Sequence, residues 1–258
     1  MIPGRKIVLL TVVQIDAEPW PEAKSRANDV LEDLQWFFAD EMDRLGHGRK
    51  TFGIAREANG SLLFYQINGE FDKKSFLEAN KKEYPGWCRD AAKRRGLFDN
   101  SYITVYFIEA CSITAEKVSA NCCGWANYGG EAFLSSLHLK LAQRDWIALT
   151  DNYAGKFFEE IGAELRSWND RGPELGDLSG AGYGVIAHEL AHCFSPAPQE
   201  KGGRGRSGPL MGRGQVGMRG YFRPDLTEDK CFLRKEDGEA LNNNKSFAVR
   251  LLKPRSVT

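Results

Sequence analysis

The sequence has no excess of charge of either sign and no long apolar run. Lysine and arginine together number 35, and aspartate and glutamate together number 35, so the formal net charge of the 258 residues is zero. This balance argues against a chain that is drawn as a whole to nucleic acid or to a membrane surface. No stretch approaches the roughly 18 consecutive apolar residues of a membrane span. We therefore expect a soluble protein that associates with neither.

The most apolar run near the start, Ile7–Val13, also lacks the marks of a signal peptide. Two basic residues precede it, but no Ala-x-Ala-like cleavage site follows it. Its β-branched residues predict a first strand instead. Secretion is expected only if a signal peptide has been trimmed from this chain.

Cysteine is sparse. Six cysteines are too few in 258 residues for a disulfide framework, and none of them falls in a CxxC pair of the kind that binds zinc. Ordinary buried or free thiols are the simplest interpretation. A bridge from Cys111 to Cys122 or Cys123 across a short loop is compatible with the spacing in an oxidising compartment.

The remaining composition predicts a folded α+β protein. Hydrophobic residues make up 42% of the chain and aromatic residues 11%, enough for a sizeable core. Because we find no internal repeat and no clear linker, we predict one catalytic domain over 1–258. Its N-terminal subdomain covers about 1–195 and its smaller, irregular C-terminal subdomain about 196–258.

Hydrophobic spacing and turn residues predict the order of elements. The predicted elements are a strand at Ile7–Val13, a long helix between Pro21 and Leu45 that ends at Gly46, strands at Thr51–Arg56 and Ser61–Ile67 joined as a hairpin around Asn59–Gly60, short helices between Lys73 and Arg95, a buried central strand at Tyr102–Ile108, a candidate edge strand at Gly130–Leu134, and helices at Asp151–Trp168 and Tyr183–Phe194. The segment Lys201–Gly220 contains eight glycines and is predicted to be largely loop.

The last predicted helix carries the sequence HELAH, in which two histidines are four residues apart. On a helix this spacing places His188 and His192 one turn apart on one face, so both imidazoles can bind one zinc ion. Glu189 lies beside that face, where its carboxylate can reach a water molecule on the metal and act as a general base. The alternative is an amphipathic helix with two ordinary histidines and a solvent-facing glutamate.

With this motif the sequence resembles the zincin metallopeptidases, and more narrowly the metzincins. Gly208–Gly214, GPLMGRG, is similar to the methionine-bearing turn beneath the metal in metzincins. Gly124-Trp125 followed by Gly129–Phe133 is similar to their substrate-binding edge strand. The LMGRG form also resembles a group of uncharacterised metallopeptidases related to them. The resemblance implies a zincin-like α+β fold: a mixed, twisted sheet, long helices, and an active-site helix that carries HExxH.

The sequence departs from the metzincin pattern at the third metal ligand. Ser195 and Pro198 stand where metzincins have a glycine and a third ligand, His or Asp. A catalytic zinc site needs three protein ligands, so another residue must complete it. We favour Glu200, the only acidic residue from Cys193 through Pro224. The alternatives are the acidic residues and the cysteine of the C-terminal part, namely Asp225, Glu228, Glu236, Glu239 and Cys231.

His47 and His138 are interpreted as ordinary histidines far from this helix. A further alternative is that no residue completes the site.

The function predicted from these residues is a zinc metallopeptidase, an endopeptidase that cleaves protein or peptide substrates. Glu189 is its general base, and Tyr221, Arg213 and Arg219 are candidates to stabilise the oxyanion. The alternative is a degenerate zincin that binds a partner without cutting it. The arginine-glycine content of Lys201–Gly220 also allows an RNA-binding segment, which the zero net charge and the lack of aromatic residues there disfavour.

Overall fold

A mixed, twisted sheet with helices forms the core of the protein. The computed structural model describes residues 4–78, 83–97, 100–113, 117–120, 124–128, 130–144, 157–158, 175–195, 206–212 and 214–251. The helices among these residues are α1 (Ala23–Arg44), α2 (Lys73–Glu78), α3 (Tyr84–Arg94), α4 (Ser136–Leu141), α5 (Leu175–Phe194), α6 (Met218–Phe222) and α7 (Lys235–Asn243). Within the described part of the chain, no helix has both the length and the apolar character needed to cross a membrane.

The strands form one large sheet and several small ones. They are β1 (Lys6–Val13), β2 (Lys50–Thr51), β3 (Gly53–Ile54), β4 (Phe64–Asn68), β5 (Tyr102–Glu109), β6 (Cys111–Ile113), β7 (Lys117–Ala120), β8 (Trp125–Asn127), β9 (Glu131–Ser135), β10 (Phe157–Phe158), β11 (Ser207–Pro209), β12 (Lys230–Phe232) and β13 (Val249–Arg250). The large sheet has the order β3-β1-β5-β9-β8, and β4 also pairs with β1. Its strands are parallel except β8, which is antiparallel to β9.

The centre of the sheet confirms the predicted strands at 7–13 and 102–108. β1 and β5 pair along their whole length and are buried on both faces, as the continuous apolar runs indicate. One face packs against α1 and α5, and the other packs against α3. The long helix predicted after Pro21 is also confirmed, and Gly46 follows its end with φ of +84°.

The hairpin predicted around Asn59–Gly60 is only partly correct. Gly60 has φ of +83° and the chain does reverse there, with an antiparallel bridge between Arg56 and Leu62. However, β3 and β4 do not pair with each other, because both add to β1 in the parallel direction, one after the other along the same edge. The segment between β3 and β4 leaves the edge of the sheet, reverses at Gly60 and returns to β1.

Two further predictions need correction. Phe157 and Phe158, assigned to the helix at 151–168, form β10 and pair with β7; the rest of that segment lies outside the described residues. β9, the candidate edge strand, is internal, because β8 pairs with its outer side. The described residues of segment 201–220 are mostly turns, as predicted, apart from β11 and the start of α6.

The C-terminal elements share the main core with the N-terminal ones. β13 pairs with β2, and Leu233, Leu241 and Phe247 belong to the same cluster of buried side chains as Phe38 and Phe52. Phe247 contacts both Phe38 and Phe52 edge to face. The cluster also includes the described end of α5, so this helix is packed from both parts of the chain.

Candidate metal centre

Helix α5 brings His188 and His192 together. Their Nε2 atoms are 3.1 Å apart, and the two rings are nearly perpendicular. His188 is 2% exposed, whereas His192 is half-buried at the rim of the site. Burial lowers the pKa of His192 below its ordinary value, although the Asp237 carboxylate acts in the opposite direction. A neutral imidazole is the form that can donate a lone pair to a metal.

The turn that resembles the methionine turn lies directly beside His188. The Nδ1 atom of His188 is 2.8 Å from the Leu210 carbonyl oxygen and 2.9 Å from the Gln215 amide nitrogen. The turn is closed by the amides of Gly212 and Gly214, which both donate to the Pro209 carbonyl. Met211 is buried in the core, as expected for a hydrophobic floor.

Two glycines of α5 allow this close approach. A Cβ atom added to Gly184 would lie 1.9 Å from the Gln215 carbonyl oxygen, and one added to Gly180 would lie 2.1 Å from that of Val216. The backbone after the turn therefore rests directly on the helix backbone. α5 begins at Leu175 and not at the predicted Tyr183, so the helix includes Gly176, Gly180 and Gly182, although glycine is a poor helix former.

Glu189 is buried beside the start of β8. It is 7% exposed, so the alternative of a solvent-facing glutamate is wrong. Gly124, which immediately precedes β8 and has φ of +119°, leaves the space that the carboxylate occupies: a Cβ at Gly124 would lie 2.4 Å from Glu189 Oε1. The base candidate therefore lies between the histidine helix and the outermost described strand of the sheet.

The described candidates for a third ligand are not grouped with the two histidines. Among the described residues, no group of three His, Cys, Asp or Glu side chains could hold a metal ion. Asp225 pairs with Arg223 and Glu239 with Lys235 at the surface, and Glu228 and Glu236 are exposed. Removal of the Cys231 thiol from water raises its pKa well above the ordinary value. Glu200 and Pro198 lie outside the described residues.

α5 ends at Phe194, and Ser195 follows it at the position where metzincins have a glycine. The Ser195 amide continues the helical pattern by donating to the Ala191 carbonyl, and Ser195 is buried. The Asn244 side-chain amide donates to the Phe194 carbonyl at 2.6 Å and so satisfies one of the last helix carbonyls.

The other predicted side chains have structural contacts elsewhere. His138 is buried on α4, and His47 packs near Gly238 at the start of α7. The Tyr221 hydroxyl donates to Asp40 of α1 at 2.6 Å, and Arg219 forms a buried ion pair with Asp229. Arg213 lies outside the described residues. These contacts hold Tyr221 and Arg219 in the packing of α6.

Asp33, a buried ionisable residue of α1 that contacts α5, was not identified from the sequence. Asp33 of α1 is fully buried, accepts a hydrogen bond from the Tyr183 hydroxyl at 2.7 Å and pairs with Arg144. Burial, followed by the Asp33 charge, raises the pKa of Tyr183, so Tyr183 remains a donor. In the sequence Asp33 lies on the apolar face of its helix, between Val30 and Phe37, and a charged residue at such a position indicates a buried carboxylate with a partner.

The chain is similar in fold to OgpA from Akkermansia muciniphila. Against one crystal form of the wild type, the TM-score is 0.58 at 18% sequence identity, over 96% of this chain and 62% of OgpA. Against the catalytically inactive form in complex with an O-glycopeptide (glycodrosocin) substrate, the TM-score is 0.56 at 16% identity, with the same coverage. A second wild-type crystal form gives 0.55 at 17%.

This likeness establishes the α+β fold with its twisted mixed sheet. The chain spans less than two thirds of the length of OgpA, and at these identities the comparison concerns the fold alone. No model of a known protein family matches the sequence, and no curated protein matches it significantly.

Proposed function

We propose that this protein is a zinc-dependent metallopeptidase in which His188 and His192 bind the metal and Glu189 is the general base. The observation that carries this proposal is the geometry of α5: two Nε2 atoms 3.1 Å apart, with the Glu189 carboxylate buried beside them. The fold similarity to OgpA, which has a catalytically inactive form bound to an O-glycopeptide substrate, supports a peptidase in particular.

The two histidines fit a zinc ion. Imidazole nitrogens bind zinc at about 2.0–2.1 Å, so two of them in a tetrahedral site are about 3.3 Å apart. The observed separation of 3.1 Å is close to this value. The contact between His188 Nδ1 and the Leu210 carbonyl is also the kind of second-sphere hydrogen bond that orients zinc-bound histidines. We propose Glu200 as the third ligand.

The protein side chains then divide the work of hydrolysis. A bound zinc ion supplies Lewis acidity, which lowers the pKa of a water molecule and polarises the scissile carbonyl group. Glu189 accepts a proton from the attacking water as its oxygen bonds to the carbonyl carbon. The carboxyl group then returns that proton to the amide nitrogen as the carbon–nitrogen bond breaks. The low exposure of Glu189 keeps bulk water from competing for this proton.

The substrate proposed for this site is an extended peptide lying along β8. Gly124 places the beginning of this strand against Glu189, so a peptide that hydrogen-bonds to the strand's outer edge brings its backbone to the base. Because the substrate complex of OgpA contains an O-glycopeptide, an O-glycosylated peptide and its unglycosylated counterpart are the first pair to test.

The test compares Glu189→Gln with Glu109→Gln in protein purified without an affinity tag or added metal. Glu109 is a matched control, because it is equally buried but pairs with Lys140 at the end of β5. We expect about one zinc per chain in all three proteins. Hydrolysis should fall by about 10²- to 10⁴-fold in Glu189→Gln alone.

Other results would reject the proposal in different ways. If the wild type retained no zinc, the metal assignment would be wrong. Zinc retention with tight peptide binding but no cleavage would identify a non-catalytic binding module. Equal cleavage by Glu189→Gln and wild type would exclude Glu189 as the base.

A further inference from the structure

The Gln215 side chain has a contact that the proposed chemistry does not yet explain. Its amide lies 2.9 Å from His188 Nδ1, the atom that also contacts the Leu210 carbonyl oxygen. Gln215 is only 4% exposed, and its backbone carbonyl is fixed against Gly184 of α5. The amide therefore faces the metal-binding histidine from a rigid segment on the side opposite Nε2.

The position of the single imidazole proton decides whether His188 can bind a metal. A carbonyl oxygen can only accept, so the Leu210 contact requires the proton on Nδ1 and leaves a lone pair on Nε2. With the proton on Nε2, that atom would instead donate to His192 Nε2 at 3.1 Å. The two histidines would then be hydrogen-bonded to each other, and neither nitrogen of that contact would be free for zinc.

Gln215 can favour either state, because its amide has one acceptor end and one donor end. With the nitrogen toward Nδ1, the amide donates and favours the proton on Nε2. After a 180° rotation of the amide group about the Cγ–Cδ bond, the oxygen accepts from Nδ1 beside the Leu210 carbonyl. The second orientation is the one compatible with zinc.

We propose that Gln215 is a positioning residue which, with its amide oxygen turned to Nδ1, holds His188 in the tautomer that binds zinc and thereby sets the zinc affinity. This inference rests on the proposed function, because it assigns Gln215 a role toward the proposed ligand His188. It predicts that the acceptor matters and that the donor does not.

Two substitutions separate acceptor from donor. Gln215→Glu keeps an acceptor of the same length, whereas Gln215→Leu removes both hydrogen-bonding ends. Zinc affinity is measured by competition with a chromophoric chelator, and thermal unfolding verifies that each variant is folded. Gln215→Leu should bind zinc about 10- to 100-fold more weakly, as for other second-sphere partners, and Gln215→Glu should bind at least as tightly as the wild type.

The matched control is Gln14→Leu. Gln14 is as deeply buried at the end of β1, but its side-chain amide donates to Val12 and not to a histidine. Its loss should leave the zinc affinity unchanged. Equal affinities of Gln215→Leu and wild type, or weaker binding by Gln215→Glu than by Gln215→Leu, would overturn the inference.

A second measurement does not depend on zinc. In ¹⁵N NMR of the metal-free protein, Gln215→Leu should lower the population of the His188 tautomer protonated on Nδ1 relative to the wild type, and an unchanged population would overturn the inference. If the wild type bound no zinc but the tautomer shifted as expected, the proposed function would fail while the role of Gln215 would stand.

Discussion

Replacing Gly124 by alanine tests the placement of the general base without changing any proposed ligand. The added Cβ would lie 2.4 Å from Glu189 Oε1, and ordinary contact begins at 3.4 Å, so the carboxylate must retreat by about 1 Å. A displacement of that size in a catalytic group costs roughly 10²-fold in rate. The φ angle of +119° adds backbone strain of about 1–3 kcal/mol to the folded state of the variant.

The assay measures peptide hydrolysis, zinc content and urea unfolding on Gly124→Ala and two controls. Gly60→Ala has a positive φ of +83° with open space around it, and so reports backbone strain without the contact. Gly130→Ala lies at the other end of the same two-stranded segment, where a Cβ would meet no atom closer than 3.7 Å. Only Gly124→Ala should lose hydrolysis while retaining zinc. Wild-type hydrolysis by a folded Gly124→Ala would refute the assignment of Glu189 as the base.

Three further predictions concern the support of the site. Gly184→Ala should lower the free energy of unfolding in urea by about 3 kcal/mol, because its Cβ would overlap the Gln215 carbonyl. The control is Gly86→Ala, at an uncrowded helical position, which should raise the free energy of unfolding by about 0.5–1 kcal/mol. Equal effects of the two substitutions would contradict this packing. Met211→Leu should lower the free energy of unfolding by less than about 1.5 kcal/mol and leave the zinc affinity unchanged, since the side chain is buried in the core. A tenfold loss of zinc affinity would show that Met211 contributes to metal binding and not only to packing. Zinc at 100-fold its Kd should stabilise the protein by about 2.7 kcal/mol in thermal unfolding, an effect that His188→Ala must abolish.

The elements that could be predicted from the sequence are those whose pattern is set by local burial. β1 and β5 are buried on both faces, so their apolar runs are continuous, and α1 shows its apolar face at helical spacing. The Asn59–Gly60 reversal was visible for the same local reason. That its flanking strands both join β1 depends on partners far away in the chain, which the turn itself does not encode.

The site was predictable to a similar degree. The spacing of His188 and His192 is a property of one helix and could be read directly. Gly124 contacts Glu189 and Gln215 contacts His188, in each case across more than 20 residues of chain, and neither residue type indicates such a role by itself. The start of α5 was misplaced because glycine is a poor helix former and signals a loop in isolation, whereas this helix includes Gly176, Gly180 and Gly182.

The glycines of α5 and its histidines form a single series along the helix. Gly180, Gly184, His188 and His192 recur every fourth residue, so the face that receives the turn's backbone continues into the face that holds the imidazoles. The distance between the turn and the histidines is then fixed by contact between two backbones, because no side chain of Gly180 or Gly184 lies between them. The pattern GxxxGxxxHExxH is therefore a more selective search string than HExxH for other proteins built this way. A designer who grafts this histidine pair onto another helix would need to transfer the glycines with it.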